Sequence, residues 1–310
     1  MSAGALASID CGGRRVDIEY AWVGAGAPEH PVLVFLHEGL GSLSAWRDFP
    51  QRLCAALGLR GLVWSRAGYG RSTPREPGER WGPDFMHRQA REDLPALLET
   101  LGVDAPYLLF GHSDGGSIAL IHAALHPARV AGLIVLAPHL FVEDLSVTSI
   151  EQVRQAYLAT DLRARLARHH ADPDSAFWGW NDVWLDPAFR DWTIEPLIAR
   201  IAAPVLAIQG VDDEYGTMRQ IDAIAAALPG TMLLKLDRCG HSPHRDRPDA
   251  VVEACEGGIR LWRTPGAAAG LVGRARLRSG GSQPGMPEFG RGLGAGATAV
   301  MVESVAEDPG

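Results

Sequence analysis

Tyr107-Leu108-Leu109-Phe110-Gly111-His112-Ser113-Asp114-Gly115-Gly116 carries an apolar segment into a Gly-x-Ser-x-Gly turn, and residues 116–125 continue with helical character. Strand, tight turn and helix in that order form the context in which such a serine stands clear of a sheet. The glycines answer a crowding problem: a strand that reverses sharply into a helix strains the serine backbone, so its neighbours must be small. A serine there also sits at a helix N-terminus, where free backbone N–H groups can stabilise negative charge.

Outward from this turn, short apolar runs alternate with helix-sized segments. Residues 32–36, 61–65, 107–111, 133–137, 205–209 and 232–236 read as strands. Continuous apolar runs of this kind, separated by helices, predict a mostly parallel sheet covered on both faces. Residues 16–23 alternate in character and read as an antiparallel edge strand. About sixty residues separate the strand ending near 137 from the one starting near 205, too many for a single crossover helix. Thr148 with Glu151 reads as a capping box, and Asp172 followed by Pro173 as the start of a second helix. The expected organisation is a core over residues 1–138 and 201–263, interrupted by a helical lid at 139–200 and followed by a Gly- and Ala-rich tail at 264–310, read as disordered. The lid holds Trp178, Trp180, Trp184 and Trp192, and Phe177, Trp180 and Trp184 share one helical face.

Composition narrows the chemistry. The chain has 310 residues, 46% of them hydrophobic, and a net charge of −8, enough for a large core and without the basic footprint of a nucleic-acid or anionic-membrane binder. The first ten residues lack a signal-peptide pattern, and no apolar run could span a bilayer, so cytoplasmic residence is the expectation. Cys11, Cys54, Cys239 and Cys255 are scattered without a C-x-x-C pair, which argues against zinc or redox chemistry. Lys235 is the only lysine and lies in a strand-like run, so no Walker lysine is present. No metal and no organic cofactor are expected.

A serine hydroxyl needs a base to take its proton and an acid to orient that base. Asp212 and Asp213 follow the strand at 205–209, and His241 follows the strand at 232–236. The chain order Ser, Asp, His is the one found on α/β-hydrolase sheets. On these residues the chain resembles the α/β-hydrolase superfamily, in its lidded serine-esterase-like branch, over about residues 16–263. The resemblance implies Ser113 as nucleophile, Asp213 in preference to Asp212 as acid, and His241 as general base. It implies an oxyanion hole made by the backbone N–H groups of Asp114 and Gly39. The loop His37-Glu38-Gly39-Leu40-Gly41-Ser42 supplies the latter, with Glu38 where glycine is common. The block Ser65-Arg66-Ala67-Gly68-Tyr69-Gly70-Arg71-Ser72 resembles a structural turn of the family. His139, Trp180 and Trp184 are the expected substrate-binding residues.

The expected function is hydrolysis of a small ester, lactone or related acyl bond through an acyl-enzyme, with an ester-like small molecule as partner and neither nucleic acid nor membrane. Hydrolysis of carbon–carbon bonds in ring-cleavage products uses the same three residues, but Ser242 stands where those enzymes commonly have tryptophan. A small-molecule receptor on the same fold is the reading from a different functional class.

Overall fold

Eight strands assemble into one sheet in the order β1-β2-β4-β3-β5-β6-β7-β8, in a computed structural model that describes residues 4–27, 29–103 and 106–263. They are β1 (Ala5–Cys11), β2 (Arg14–Val23), β3 (Leu33–Leu36), β4 (Gly61–Trp64), β5 (Tyr107–His112), β6 (Val130–Leu136), β7 (Val205–Gly210) and β8 (Met232–Leu236). β2 pairs antiparallel with β1 and β4, and every pairing from β4 to β8 is parallel. This is the α/β-hydrolase fold. The tail expected from residue 264 lies outside the described residues.

The apolar runs at the centre of the sheet are buried on both faces. In β3, Leu33 and Phe35 point into one core and Val34 and Leu36 into the other, as side-chain alternation requires. Helix Asp114–Leu125 is apolar around its whole circumference and nearly every residue of it is buried, which is how a helix reads when it is enclosed on all sides. Helices Phe49–Leu57 and Pro248–Arg263 cover the opposite face through Leu53, Val251 and Ile259.

Two local readings of the sequence need correction. β1 is a strand that the alternation at residues 16–23 did not include; its buried positions are only Ala7 and Ile9, so its apolar signal is weak. A two-residue turn at Gly12–Gly13, both with positive φ, joins it to β2, and that pair of glycines was the available signal. The capping box at Thr148 does not exist either. The helix begins earlier and spans Asp144–Ala159, and the Thr148 hydroxyl donates to the Asp144 carbonyl inside it. Asp172 does cap its helix, Pro173–Trp184, by accepting from the Ser175 N–H at 2.9 Å.

Helices Asp144–Ala159, Leu162–Leu166, Pro173–Trp184 and Glu195–Ile198 all lie between β6 and β7. The loops that leave the carboxyl ends of β3 to β8 gather at one edge of the sheet, where crevices form in α/β proteins. No described helix is long and apolar enough to cross a membrane.

Candidate active site

Ser113 connects β5 to helix Asp114–Leu125 with φ 54° and ψ −123°, a conformation that costs a non-glycine residue about 1–3 kcal/mol. Close approach explains its neighbours. A side chain at Gly111 would collide with the Gly115 carbonyl, and one at Gly115 with the carbonyl of Leu36 in β3. The Ser113 N–H donates to the Leu136 carbonyl at 2.9 Å, which ties the turn to the end of β6.

His241 arrives from the loop after β8. Its Nε2 lies 2.9 Å from Ser113 Oγ and its Nδ1 lies 2.8 Å from Asp213 Oδ1. Asp213, at the end of β7, also accepts from the backbone N–H groups of Tyr215 at 2.8 Å and Gly216 at 3.2 Å, and from Gln209 Nε2 at 3.0 Å. Asp212 is exposed. Burial pushes the Asp213 carboxyl up, but the His241 charge, its hydrogen bond and the Tyr215 N–H hold it below its ordinary value. Burial likewise opposes a charge on His241, and the Asp213 charge and hydrogen bond outweigh it, so the imidazole pKa is raised. The arrangement can take a proton from Ser113 Oγ and keep the resulting imidazolium oriented.

Gly39 is held by an arginine that sequence reasoning passed over. Arg66, fully buried after β4, donates from Nη2 to the Glu38 carbonyl at 2.7 Å, from Nη1 to Gln89 Oε1 at 2.8 Å, and from its backbone N–H to His37 Nε2 at 3.0 Å. His37 Nδ1 donates to the same Glu38 carbonyl at 2.7 Å, and the Gly41 N–H does so at 3.1 Å. Because a trans peptide directs its C=O and N–H to opposite sides, pinning the Glu38 carbonyl aims the Gly39 N–H away from Arg66. Asp114 contributes the first N–H of its helix, which no helical carbonyl can accept.

Helix Pro173–Trp184 packs against this edge. A side chain at residue 39 would fall inside the Trp180 indole, so the glycine is demanded by that contact. Trp184 Nε1 donates to Asp114 Oδ1 at 3.1 Å. Asp114 Oδ2 has Arg66 at 3.9 Å and no hydrogen-bond partner. Burial lifts the Asp114 carboxyl to about 6, against the opposing pull of Arg66 and the Trp184 N–H. The His139 ring stacks edge-on to Trp184 at 4.9 Å and lies 5.8 Å from His241; burial pushes it down to about 3, which keeps it neutral. His170 donates from Nε2 to the Leu40 carbonyl and accepts the Gly70 N–H on Nδ1, both at 3.0 Å.

Ser113, Asp213, His241, Gly39, Asp114, His139, Trp180 and Trp184, all expected from the sequence as site residues, are gathered in one place. Sequence reasoning gave no site role to Arg66, His112, Gln209 or Tyr215, and it placed Glu38 only behind Gly39 as an oxyanion donor. An arginine directly after a buried strand was the one available signal, since a buried guanidinium needs partners. Among the described residues no cluster of three His, Cys, Asp or Glu side chains could hold a metal ion.

The Ser113, His241 and Asp213 side chains meet at the carboxyl edge of this sheet, and comparison with known proteins shows the family to which the chain belongs. The family model for the alpha/beta hydrolase fold matches residues 31–183. Mouse sn-1-specific diacylglycerol lipase ABHD11 is 31% identical over 72% of this chain and 79% of its own length. Human serine hydrolase BPHL is 26% identical over 59% of this chain; the match spans 63% of that protein, under two thirds of it. The crystal structure of the enol-lactonase from Burkholderia xenovorans LB400 superposes with a TM-score of 0.63 at 20% identity, covering 83% of this chain and all of that one, which shows a shared fold. The chain belongs to the alpha/beta hydrolase family. Another relative, from Pseudomonas putida, is named as a 2-hydroxy-6-oxononadienedioate/2-hydroxy-6-oxononatrienedioate hydrolase.

Proposed function

We propose that the protein cleaves a small carboxylic ester, lactone or related acyl bond through an acyl-enzyme on Ser113. The observation that carries this reading is the buried relay from Ser113 Oγ to His241 Nε2 at 2.9 Å and from His241 Nδ1 to Asp213 at 2.8 Å. In the proposed reaction Ser113 Oγ attacks the acyl carbon while its proton passes to His241 Nε2. The carbonyl π pair moves to oxygen, where the Gly39 and Asp114 N–H groups stabilise it by about 2.7–4 kcal/mol each. Collapse breaks the acyl–oxygen bond, and the leaving alcohol takes the proton from His241. Water then attacks the acyl-enzyme with His241 as base, and the returned proton restores Ser113.

Residues 139–200 act as the cap in this reading. Ser113 is 3% exposed and His241 2%, so a substrate enters by displacing lid residues, with Trp180, Trp184 and His139 as its first contacts. These aromatic surfaces favour an apolar or aromatic group of modest size.

A fluorophosphonate probe tests the reading. Labelling that maps to Ser113 and disappears in Ser113→Ala is the expected result, together with turnover of nitrophenyl esters or lactones. Folded protein that takes no label overturns the proposal, and turnover of a ring-cleavage diketone alone replaces acyl-oxygen chemistry with carbon–carbon cleavage.

A further inference from the structure

Glu38 is a carboxylate inside a glycine-rich loop, with only 8% of its side chain exposed. The loop folds around it: a side chain at Gly41 would strike the Glu38 carboxylate. Oε2 lies 3.6 Å from His112 Nδ1. On the far side of that ring, His112 Nε2 donates to the main-chain carbonyl of His241 at 2.7 Å. One ring nitrogen of His112 thus bonds the His241 carbonyl, while the other faces the Glu38 carboxylate across 3.6 Å, beyond hydrogen-bond distance. The ring is wedged in place by His244, 4.8 Å away and edge-on, which itself packs on Trp46 at 5.0 Å. Arg245 adds its charge to the field on Glu38 and is anchored by a 2.7 Å bond to the Ala45 carbonyl. Burial works against ionisation of Glu38, yet His112 and Arg245 hold its carboxyl well below the ordinary range.

We propose that Glu38 and His112 are positioning residues: the Glu38 carboxylate, acting through His112, fixes the His241 main chain, while the Glu38 carbonyl fixes the Gly39 N–H. This rests on the reading of Ser113, His241 and Gly39 as reacting groups. Residue 38 then sets both ends of the site from one point, the base through its side chain and the oxyanion donor through its backbone. A His241 carbonyl buried at this depth must have a donor, and a donor on a ring held by a carboxylate is fixed in place as well as paired. Small displacements of a base carry large costs, about a hundredfold in rate for 1 Å.

The experiment compares wild type with Glu38→Gln, His112→Asn, His112→Gln and the double variant Glu38→Gln/His112→Asn. It reads kcat and KM for p-nitrophenyl acetate and the rate of fluorophosphonate labelling at Ser113. Glu38→Gln is expected to lower kcat and the labelling rate roughly ten- to a hundredfold, with KM within about threefold. His112→Asn is too short to reach the His241 carbonyl and should lose as much. His112→Gln places its amide nitrogen near the position of Nε2 and should recover at least about tenfold over His112→Asn. The double variant should be no slower than His112→Asn, because the connection is already cut.

A folded Glu38→Gln that labels and turns over within about threefold of wild type overturns the proposal. So do equal rates for the two His112 variants, which would mean simple packing, or losses that multiply in the double variant. If wild type itself takes no label, the hydrolase reading fails and this inference falls with it; a labelled wild type with unaffected variants sinks the inference alone.

Discussion

The loop after β7 and the turn after β5 each bury a carboxylate to 1% side-chain exposure, and the two titrate in opposite directions. Asp213 accepts from two backbone N–H groups, Gln209 and His241, and its pKa falls. Asp114 accepts from Trp184 alone, has an arginine at 3.9 Å and one oxygen without a partner, and rises to about 6. Burial pushes both upward, so the number and closeness of donors decides the sign. The loop after β7 surrounds its carboxylate with donors. The turn after β5 instead ties its carboxyl to Trp184.

The largest effect that could break this contrast belongs to Asp213→Asn. The neutral amide would turn its N–H toward His241 and favour the wrong tautomer, for which a loss of about 10⁴ in kcat is expected. The acid limb of the kcat/KM profile should also move to lower pH. His241 acts as base only when neutral, so activity is lost as pH falls through its raised pKa, and removing the charge that raises it shifts the loss downward. A folded Asp213→Asn with near wild-type kcat, or an unmoved acid limb, would show that the carboxylate does not govern His241.

Which carboxylate would do which task was only half legible in the sequence. The order Ser113, Asp213, His241 and the glycines around the turn follow from local patterns, because close backbone approach leaves a composition signature at Gly111 and Gly115. The parallel strands were equally legible, since double-sided burial leaves unbroken apolar runs. Partners drawn from distant segments leave no such trace. Arg66 reaches Glu38, Gln89 and Asp114 from three different elements, and no spacing rule connects residue 66 with 114. Likewise Trp184 reads as an apolar lid residue, while its indole N–H is spent on Asp114. β1 escaped because half its side chains face solvent and its alternation is carried by two small or branched residues, Ala7 and Ile9.

The next effect in size is a stability slope at Asp114. Its folded pKa, about 6 against an ordinary 3.8, means that the folded state takes up a proton first, so its contribution is most favourable below pH 3.8 and is lost as pH rises through 6. A shift of that size corresponds to about 3 kcal/mol. Wild type measured against Asp114→Asn by denaturant unfolding should therefore lose up to this amount between pH 4 and 7. Asp213, with its lowered pKa, makes the opposite contribution: its stabilisation is full above pH 3.8 and disappears as pH falls through the folded pKa. Equal slopes for Asp114→Asn and Asp213→Asn would erase the distinction between the two regions.

Trp184→Phe gives the smallest and sharpest test, because it removes the one donor to Asp114 while keeping an aromatic ring in place. Phenylalanine leaves a small void, and the packing cost of that void is the same at every pH. The lost hydrogen bond is different, since an N–H stabilises a carboxylate more than a neutral carboxyl; a bond to a charged group contributes about 1.5–3 kcal/mol. The destabilisation relative to wild type should accordingly be smallest near pH 4.5 and grow as pH rises through 6, and the growth should vanish in an Asp114→Asn background. Melting curves for the four proteins at pH 4.5 and 8 separate the two parts. A pH-independent loss would mean that Trp184 only fills space, and that Asp114 owes its position to Arg66 and the helix it begins.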